Sequence, residues 1–306
     1  MDRIIKIATR GSDLALWQAN RVKELLAQLS IDSELIIITT KGDSDQNTPL
    51  NKLGSYGVFT KSVDKAVIEE KCDIAVHSLK DLPTQLDEKL VLAAVIERGA
   101  SEDVLVFKGD KLDLNKTNFT IATGSIRRTA LWLNKFPSHK VVGLRGNVNT
   151  RLDKLDNSDW DAAIFAKAGL ERIGLLPKKH LVLDWMVSAP AQGSIGLTAK
   201  KEDSELLDLL KNINHINSNI EVSVERSFMR SLEGGCSIPL GAYAKISNNT
   251  INFEGIIVSP DGSEKVELKE HGNIKEWESF GTLCADKIKT IGADKLRMKI
   301  IDSEGK

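Results

Sequence analysis

Cysteine is scarce. Cys72, Cys236 and Cys284 are the only three in 306 residues, and their wide separation and odd number argue against a disulfide framework. The five histidines (His77, His139, His180, His215 and His271) are scattered, and no CxxC or HExxH spacing occurs, so no metal is expected. Neither a GxxxxGKS/T phosphate loop nor a GxGxxG fingerprint is present. No apolar run is long enough to span a bilayer. The opening Met1-Asp2-Arg3-Ile4-Ile5-Lys6-Ile7 enters a strand-like segment with no signal-peptide apolar region. Excess charge is missing too, with 42 Lys and Arg against 43 Asp and Glu. That balance removes the global field of a nucleic-acid or membrane binder. A cytoplasmic protein is expected, and any anion site must be a local concentration of basic groups.

What remains is the composition of an ordinary soluble protein, 41% hydrophobic and 28% charged, long enough for two or three domains. The first two-thirds alternate short β-branched runs with amphipathic stretches, an α/β pattern. Strands are predicted over 3–9, 34–39, 73–77 and 90–96, with a helix capped by Ser12 or Asp13 and another over 60–70. The chain leaves this lobe near Arg98-Gly99-Ala100-Ser101-Glu102-Asp103. A second set follows, with strands over 104–107, 119–123, 140–144 and 161–165 and helices starting near Ile126, Val148 and Ala168. A return crossing is expected around Ser188-Ala189-Pro190-Ala191-Gln192-Gly193, and a helix over 202–213 then packs back on the first lobe. The last third reads as a helix over 220–232, strands over 242–246, 251–258 and 265–268, and a helix over 276–291. The expected fold is α/β, two periplasmic-binding-protein-like lobes around a cleft plus a small α+β C-terminal domain. The expected boundaries are 1–98 with 194–216, then 99–193, then 217–306.

Arginines recur where strands turn into helices. Thr123-Gly124-Ser125-Ile126-Arg127-Arg128 combines free backbone amides, a helix dipole and two guanidiniums matched to carboxylates. Val142-Gly143-Leu144-Arg145-Gly146-Asn147 places Arg145 at another strand end, with Arg151 on the next helix and Arg172 after Ala168-Gly169-Leu170. Ala8-Thr9-Arg10-Gly11-Ser12 has the same plan. Ligands of open α/β sheets bind at the carboxyl ends of strands, so the inferred ligand carries many carboxylates or phosphates. Lys80 and Asp81 follow the 73–77 strand. Asp81 reads either as a turn residue before Leu82-Pro83 or as a lone carboxylate in a basic cleft, able to stabilise a cation or move a proton. Cys236 lies on a glycine-flanked turn, Glu233-Gly234-Gly235-Cys236, where it could pack, bind metal, attack a carbonyl or carry a covalent group.

Read in order, Ala8-Thr9-Arg10, Leu14-Ala15-Leu16-Trp17-Gln18-Ala19, Thr40-Lys41-Gly42-Asp43 and His77-Ser78-Leu79-Lys80-Asp81-Leu82-Pro83 lead to Gly124-Ser125-Ile126-Arg127-Arg128. Leu144-Arg145-Gly146-Asn147-Val148, Ala168-Gly169-Leu170 and Leu232-Glu233-Gly234-Gly235-Cys236 follow. Over essentially its whole length the chain resembles the porphobilinogen deaminases, also called hydroxymethylbilane synthases. The resemblance implies a transferase that condenses four porphobilinogen molecules head to tail into hydroxymethylbilane and releases ammonia at each addition. It implies a covalent dipyrromethane cofactor, held by a thioether on the cysteine that Cys236 matches. Asp81 matches the catalytic aspartate. Lys80, Ser125, Arg127 and Arg128 match the residues that hold the cofactor carboxylates. Arg10, Ser12, Phe59, Arg145, Arg151, Arg172 and Gln192 would hold substrate and the growing chain. The resemblance further implies a monomer that hands its product to uroporphyrinogen-III synthase. Three positions depart from the common pattern: Tyr56 for lysine, Asn149 for glycine and Thr198 for glutamate. Two rivals belong to other classes. A polycarboxylate-binding module shares the lobes but gives Cys236 no task, and a cysteine hydrolase would use His77 as base.

Overall fold

The computed structural model describes residues 3–40, 60–109, 111–233 and 238–304. They fall into two units, Met1–Ala100 with Gln192–Ile220, and Ser101–Ala191 with Glu221–Lys306.

The first unit is built on a five-stranded sheet. Strands β1 (Ile5–Thr9), β2 (Ser33–Ile37) and β3 (Ile74–Ser78) are parallel, and β4 (Leu90–Val95) forms the far edge. The sheet order is β2-β1-β3-β10-β4, where β10 (Ile195–Lys200) runs antiparallel to both neighbours. The sequence reading holds no strand there. Ile195 to Ala199 is buried on both faces, so the polar–apolar alternation that betrays a half-buried strand is absent. Helix α1 (Asp13–Gln28) lays Ala19, Val22 and Leu26 on Ile5, Ile7 and Ile74. Helix α2 (Lys61–Ile68) covers the other face, with Val63 and Val67 against Ala8 and Ala75.

The second unit repeats this plan. Strands β5 (Asp103–Phe107), β6 (Thr120–Ala122), β7 (Lys140–Val142), β8 (Ala162–Ala166) and β9 (His180–Val182) take the order β7-β6-β8-β5-β9. Three strands are again parallel, and the fourth, β5, is antiparallel. Helices α3 (Ile126–Lys135), α4 (Val148–Asp156) and α5 (Lys167–Arg172) follow β6, β7 and β8. In the first unit, α6 (Ser204–Leu210) packs Leu206 and Leu210 into the α1 core, as expected for the 202–213 segment.

Helix α7 (Ile216–Ser231) leads to an antiparallel sheet of β11 (Leu240–Ser247), β12 (Thr250–Val258) and β13 (Lys265–Asn273). The expected two α/β lobes and C-terminal α+β portion are present. The C-terminal sheet shares its core with the second lobe: Ile256 and Val258 join Leu105, Ile121, Leu131 and Trp132. The predicted helix over 276–291 ends earlier, as α8 (Trp277–Ile288). A wider turn over Lys289–Ala293 follows, with Gly292 at φ 121°, and then α9 (Asp294–Glu304). Glycine supplies the left-handed backbone that lets the chain change direction there. No helix among the described residues is long and apolar enough to cross a membrane.

Candidate active site

In the first unit the candidate residues sit at the carboxyl ends of β1 and β3. Arg10 follows β1 directly. Ser12 precedes α1 in an extended conformation, and its hydroxyl makes no capping bond. After β3 a single tight turn, Leu79–Asp81, buries Leu79 and exposes Lys80 and Asp81. The turn is tied down by the Leu79 N–H, which donates to the Ser194 carbonyl at 3.0 Å. Lys80 Nζ donates to Gln192 Oε1 at 3.4 Å, so these two predicted residues meet. Gln192 is almost wholly buried, and its carbonyl accepts from Arg98 Nε at 3.0 Å.

His77, the base of the hydrolase alternative, is buried and committed elsewhere. Its Nε2 lies 2.9 Å from Asp64 Oδ1, which also accepts from Thr198 Oγ1 at 2.8 Å. Thr198 thus takes part in a polar cluster beneath α2.

In the second unit Ser125 caps α3, its Oγ accepting from the Arg128 N–H at 3.5 Å. Arg127 and Arg128 are both buried, and they converge on one carboxylate, that of the fully buried Asp103. Arg127 Nη2 donates to Asp103 Oδ2 at 2.7 Å, and Arg128 donates to Oδ1 through Nε at 3.0 Å and Nη2 at 2.8 Å. The outer nitrogens reach backbone carbonyls, Arg127 Nη1 to Val187 at 2.7 Å and Arg128 Nη1 to Ile164 at 3.0 Å. Burial pushes the Arg127 pKa down, against the pull of Asp103, and the neighbouring Arg128 adds to the drop. Two guanidiniums on one carboxylate leave one positive charge over. Arg127 Nε is a buried donor with no partner among the described residues. An unsatisfied buried donor beside surplus positive charge suits an anionic group.

The β7–α4 turn holds the next pair. Asn147 caps α4, accepting from the Thr150 N–H at 2.9 Å, and Gly146 adopts φ 115°. Arg151 folds back on this turn, its Nε donating to the Gly146 carbonyl at 2.7 Å, while Arg145 stands half-buried within it. Gly124 is required where the β6–α3 turn passes Leu144, because a Cβ there would clash with the Leu144 carbonyl oxygen. Arg172 closes α5, and burial pushes its pKa down to about 10. Cys236, Phe59 and Tyr56 lie outside the described residues. Among those described, no group of three His, Cys, Asp or Glu could hold a metal.

Sequence reading missed Asp103 and the Glu225–Arg226 pair. Glu225 is fully buried and accepts from the Ala191 N–H at 2.6 Å and the Ala244 N–H at 2.7 Å. Arg226 is buried, with its pKa pushed down to about 10 by burial and by Arg230. The available signal was a charge in an apolar setting: Asp103 heads the run Val104–Phe107, and Glu225-Arg226 sits between Val224 and Phe228.

A family model described as "Porphobilinogen deaminase, dipyromethane cofactor binding domain" matches residues 5–208. A second, "Porphobilinogen deaminase, C-terminal domain", matches residues 219–290. A porphobilinogen deaminase of Pelotomaculum thermopropionicum is 40% identical over 303 residues, 97% of this chain and 96% of its own length. One from a Nostoc species is 39% identical over 302 residues, 96% of this chain and 94% of its own. Among solved structures, the VFT2 domain of Bordetella pertussis BvgS is similar at 14% identity and a TM-score of 0.43, over 73% of this chain and 92% of that one.

Proposed function

The chain belongs to the porphobilinogen deaminase family, and from that premise we propose that it joins four porphobilinogen molecules head to tail into hydroxymethylbilane. At each addition the C–N bond of the substrate's aminomethyl group breaks and ammonia leaves. A C–C bond forms to a pyrrole α-carbon, and that carbon gives up its proton. The family's dipyrromethane, when bound, would supply the first such α-carbon and the anchor for the growing chain, and water would cleave the finished tetrapyrrole from it, providing the product's hydroxyl.

The chain's own residues divide the remaining work. Cys236 carries the thioether, an assignment that rests on the matching Leu232–Cys236 block. Lys80, Ser125, Arg127 and Arg128 hold the cofactor's carboxylates. The surplus charge at Asp103 and the unpartnered Arg127 Nε support this fit. Loss of ammonia leaves the substrate as an azafulvenium cation. Asp81, exposed on its turn, accepts from pyrrole N–H groups and offsets that charge. Every pyrrole brings an acetate and a propionate. Arg10, Ser12, Arg145, Arg151, Arg172 and Gln192 take up these carboxylates and, with the apolar ring of Phe59, orient incoming substrate. The reading extends to three domains (1–98 with 194–216, 99–193 and 217–306), and to a cytoplasmic monomer that passes its product to uroporphyrinogen-III synthase.

What carries the proposal is the run of basic and hydroxyl residues at successive strand carboxyl ends, each in the position the family motif requires. The test is the intact mass of the denatured protein, before and after exposure to porphobilinogen, with peptide mapping around Cys236. The expected excess is two porphobilinogen units less two ammonia, located on Cys236. A mass that stays unmodified after exposure would favour a binding protein and end the enzyme reading.

A further inference from the structure

We infer that Asp103 is the positioning residue of the cofactor site: its buried carboxylate aims Arg127 and Arg128 at the carboxylates they bind. The inference rests on the proposed role of those two arginines.

Adjacent guanidiniums repel, and burial pushes the Arg127 pKa down. Both nevertheless lie buried on the first turn of α3, where the helix dipole adds positive potential. Asp103 makes this arrangement tenable. It gives one oxygen to each arginine, so the two forks are held apart and in fixed planes. It is itself held rigidly. As the first residue of β5 it pairs with Ala166 of β8, and its carbonyl accepts from the Leu183 N–H at 2.9 Å. A clamp on a paired strand is more precise than one on a loop.

The donors left over show the consequence. Arg128 spends Nε, Nη1 and Nη2 on Asp103 and Ile164. Arg127 spends only Nη1 and Nη2, and its Nε is left without a partner among the described residues. Asp103 therefore orients Arg127 and cancels one of two charges. The remaining charge is enough to attract a carboxylate without leaving two uncompensated cations buried together.

The test is a double-mutant cycle on cofactor loading. Full-length Asp103→Asn, Arg127→Lys and the double variant are prepared without cofactor and exposed to porphobilinogen. The rise of the intact mass is then timed per folded molecule, with the folded fraction taken from circular dichroism. Asp103→Asn should load about tenfold or more slowly than the unaltered chain. The double variant should load faster than the product of the two single losses predicts, because Asp103 acts in part through Arg127. Loading of Asp103→Asn at the unaltered rate would overturn the inference, as would losses that multiply. An unaltered chain that never gains the mass sinks the proposed function and this inference together, a result distinct from either. If Asp103→Asn does not fold, guanidinium N–H spectra of the unaltered chain decide. The Arg127 and Arg128 protons facing Asp103 should resist exchange before and after loading, and loss of that protection on loading would overturn the role.

Discussion

Two of the three thiols are chemically silent for a physical reason. Cys72 and Cys284 are buried. Burial, reinforced by Glu270, pushes the Cys284 pKa up to about 12, and burial raises that of Cys72 as well. At pH 8 about one Cys284 in 10⁴ is a thiolate, so it barely reacts. A thiol-specific chromogenic reagent should therefore titrate one cysteine, Cys236, in native apo-protein, and none once a thioether occupies it. Two reactive thiols in the folded chain would contradict the burial. Asp81 invites a second test. Asp81→Asn keeps the shape but loses the charge, so the variant should carry the adduct while turnover falls about a hundredfold or more. Near-normal turnover would remove Asp81 from the chemistry. Asp81, Arg127 and Arg128 stand out in the sequence as candidates because each lies in a short contiguous motif. Asp103 does not, since its pairing spans 24 and 25 residues and only the fold closes that distance.

Elements were legible where their periodicity is one-sided. Helix α1 and the first half of strand β12, over 250–254, follow the expected pattern because each has a wetter face and a dry one. Strand β10 is dry on both, and the turn that precedes it carries constraints no periodicity reports. Gly193 sits at φ 85°, and a Cβ there would strike the backbone carbonyl of Ala100. The same residue's carbonyl accepts from the Gly99 N–H at 3.0 Å, which joins the outgoing and returning segments. Gly193→Ala must distort this pairing as well as adopt a left-handed backbone. It should cost about 2 kcal/mol or more, measured as a shift of the urea midpoint. A midpoint unchanged within error would mean that the turn relaxes freely.

At the scale of the whole chain the two five-stranded sheets share one plan, in which three parallel strands receive a fourth, antiparallel strand from a crossing segment. This plan places every described α/β-lobe candidate except Gln192 at or after a strand's carboxyl end, which is why motif and topology agree. The C-terminal portion is expected as a domain of its own, and a sequence pattern does not report how much core such a domain shares with its neighbour. Here Trp132, fully buried on α3, packs with Ile121 and Leu131 of the lobe and with Ile256 and Val258 of β12. A second tie joins them, as Asn134 Nδ2 donates to the Gly262 carbonyl at 2.8 Å. Gly262 stands at φ 77° against the backbone of α3, an approach a side chain would block. The two sheets of this unit should therefore open together. Native-state hydrogen exchange should give amides of β8 and of β12 the same opening free energy. Trp132→Ala should lower both by about 3–5 kcal/mol. If β12 opened first, and at an energy Trp132→Ala left unchanged, the C-terminal sheet would be an independent folding unit merely resting on the lobe.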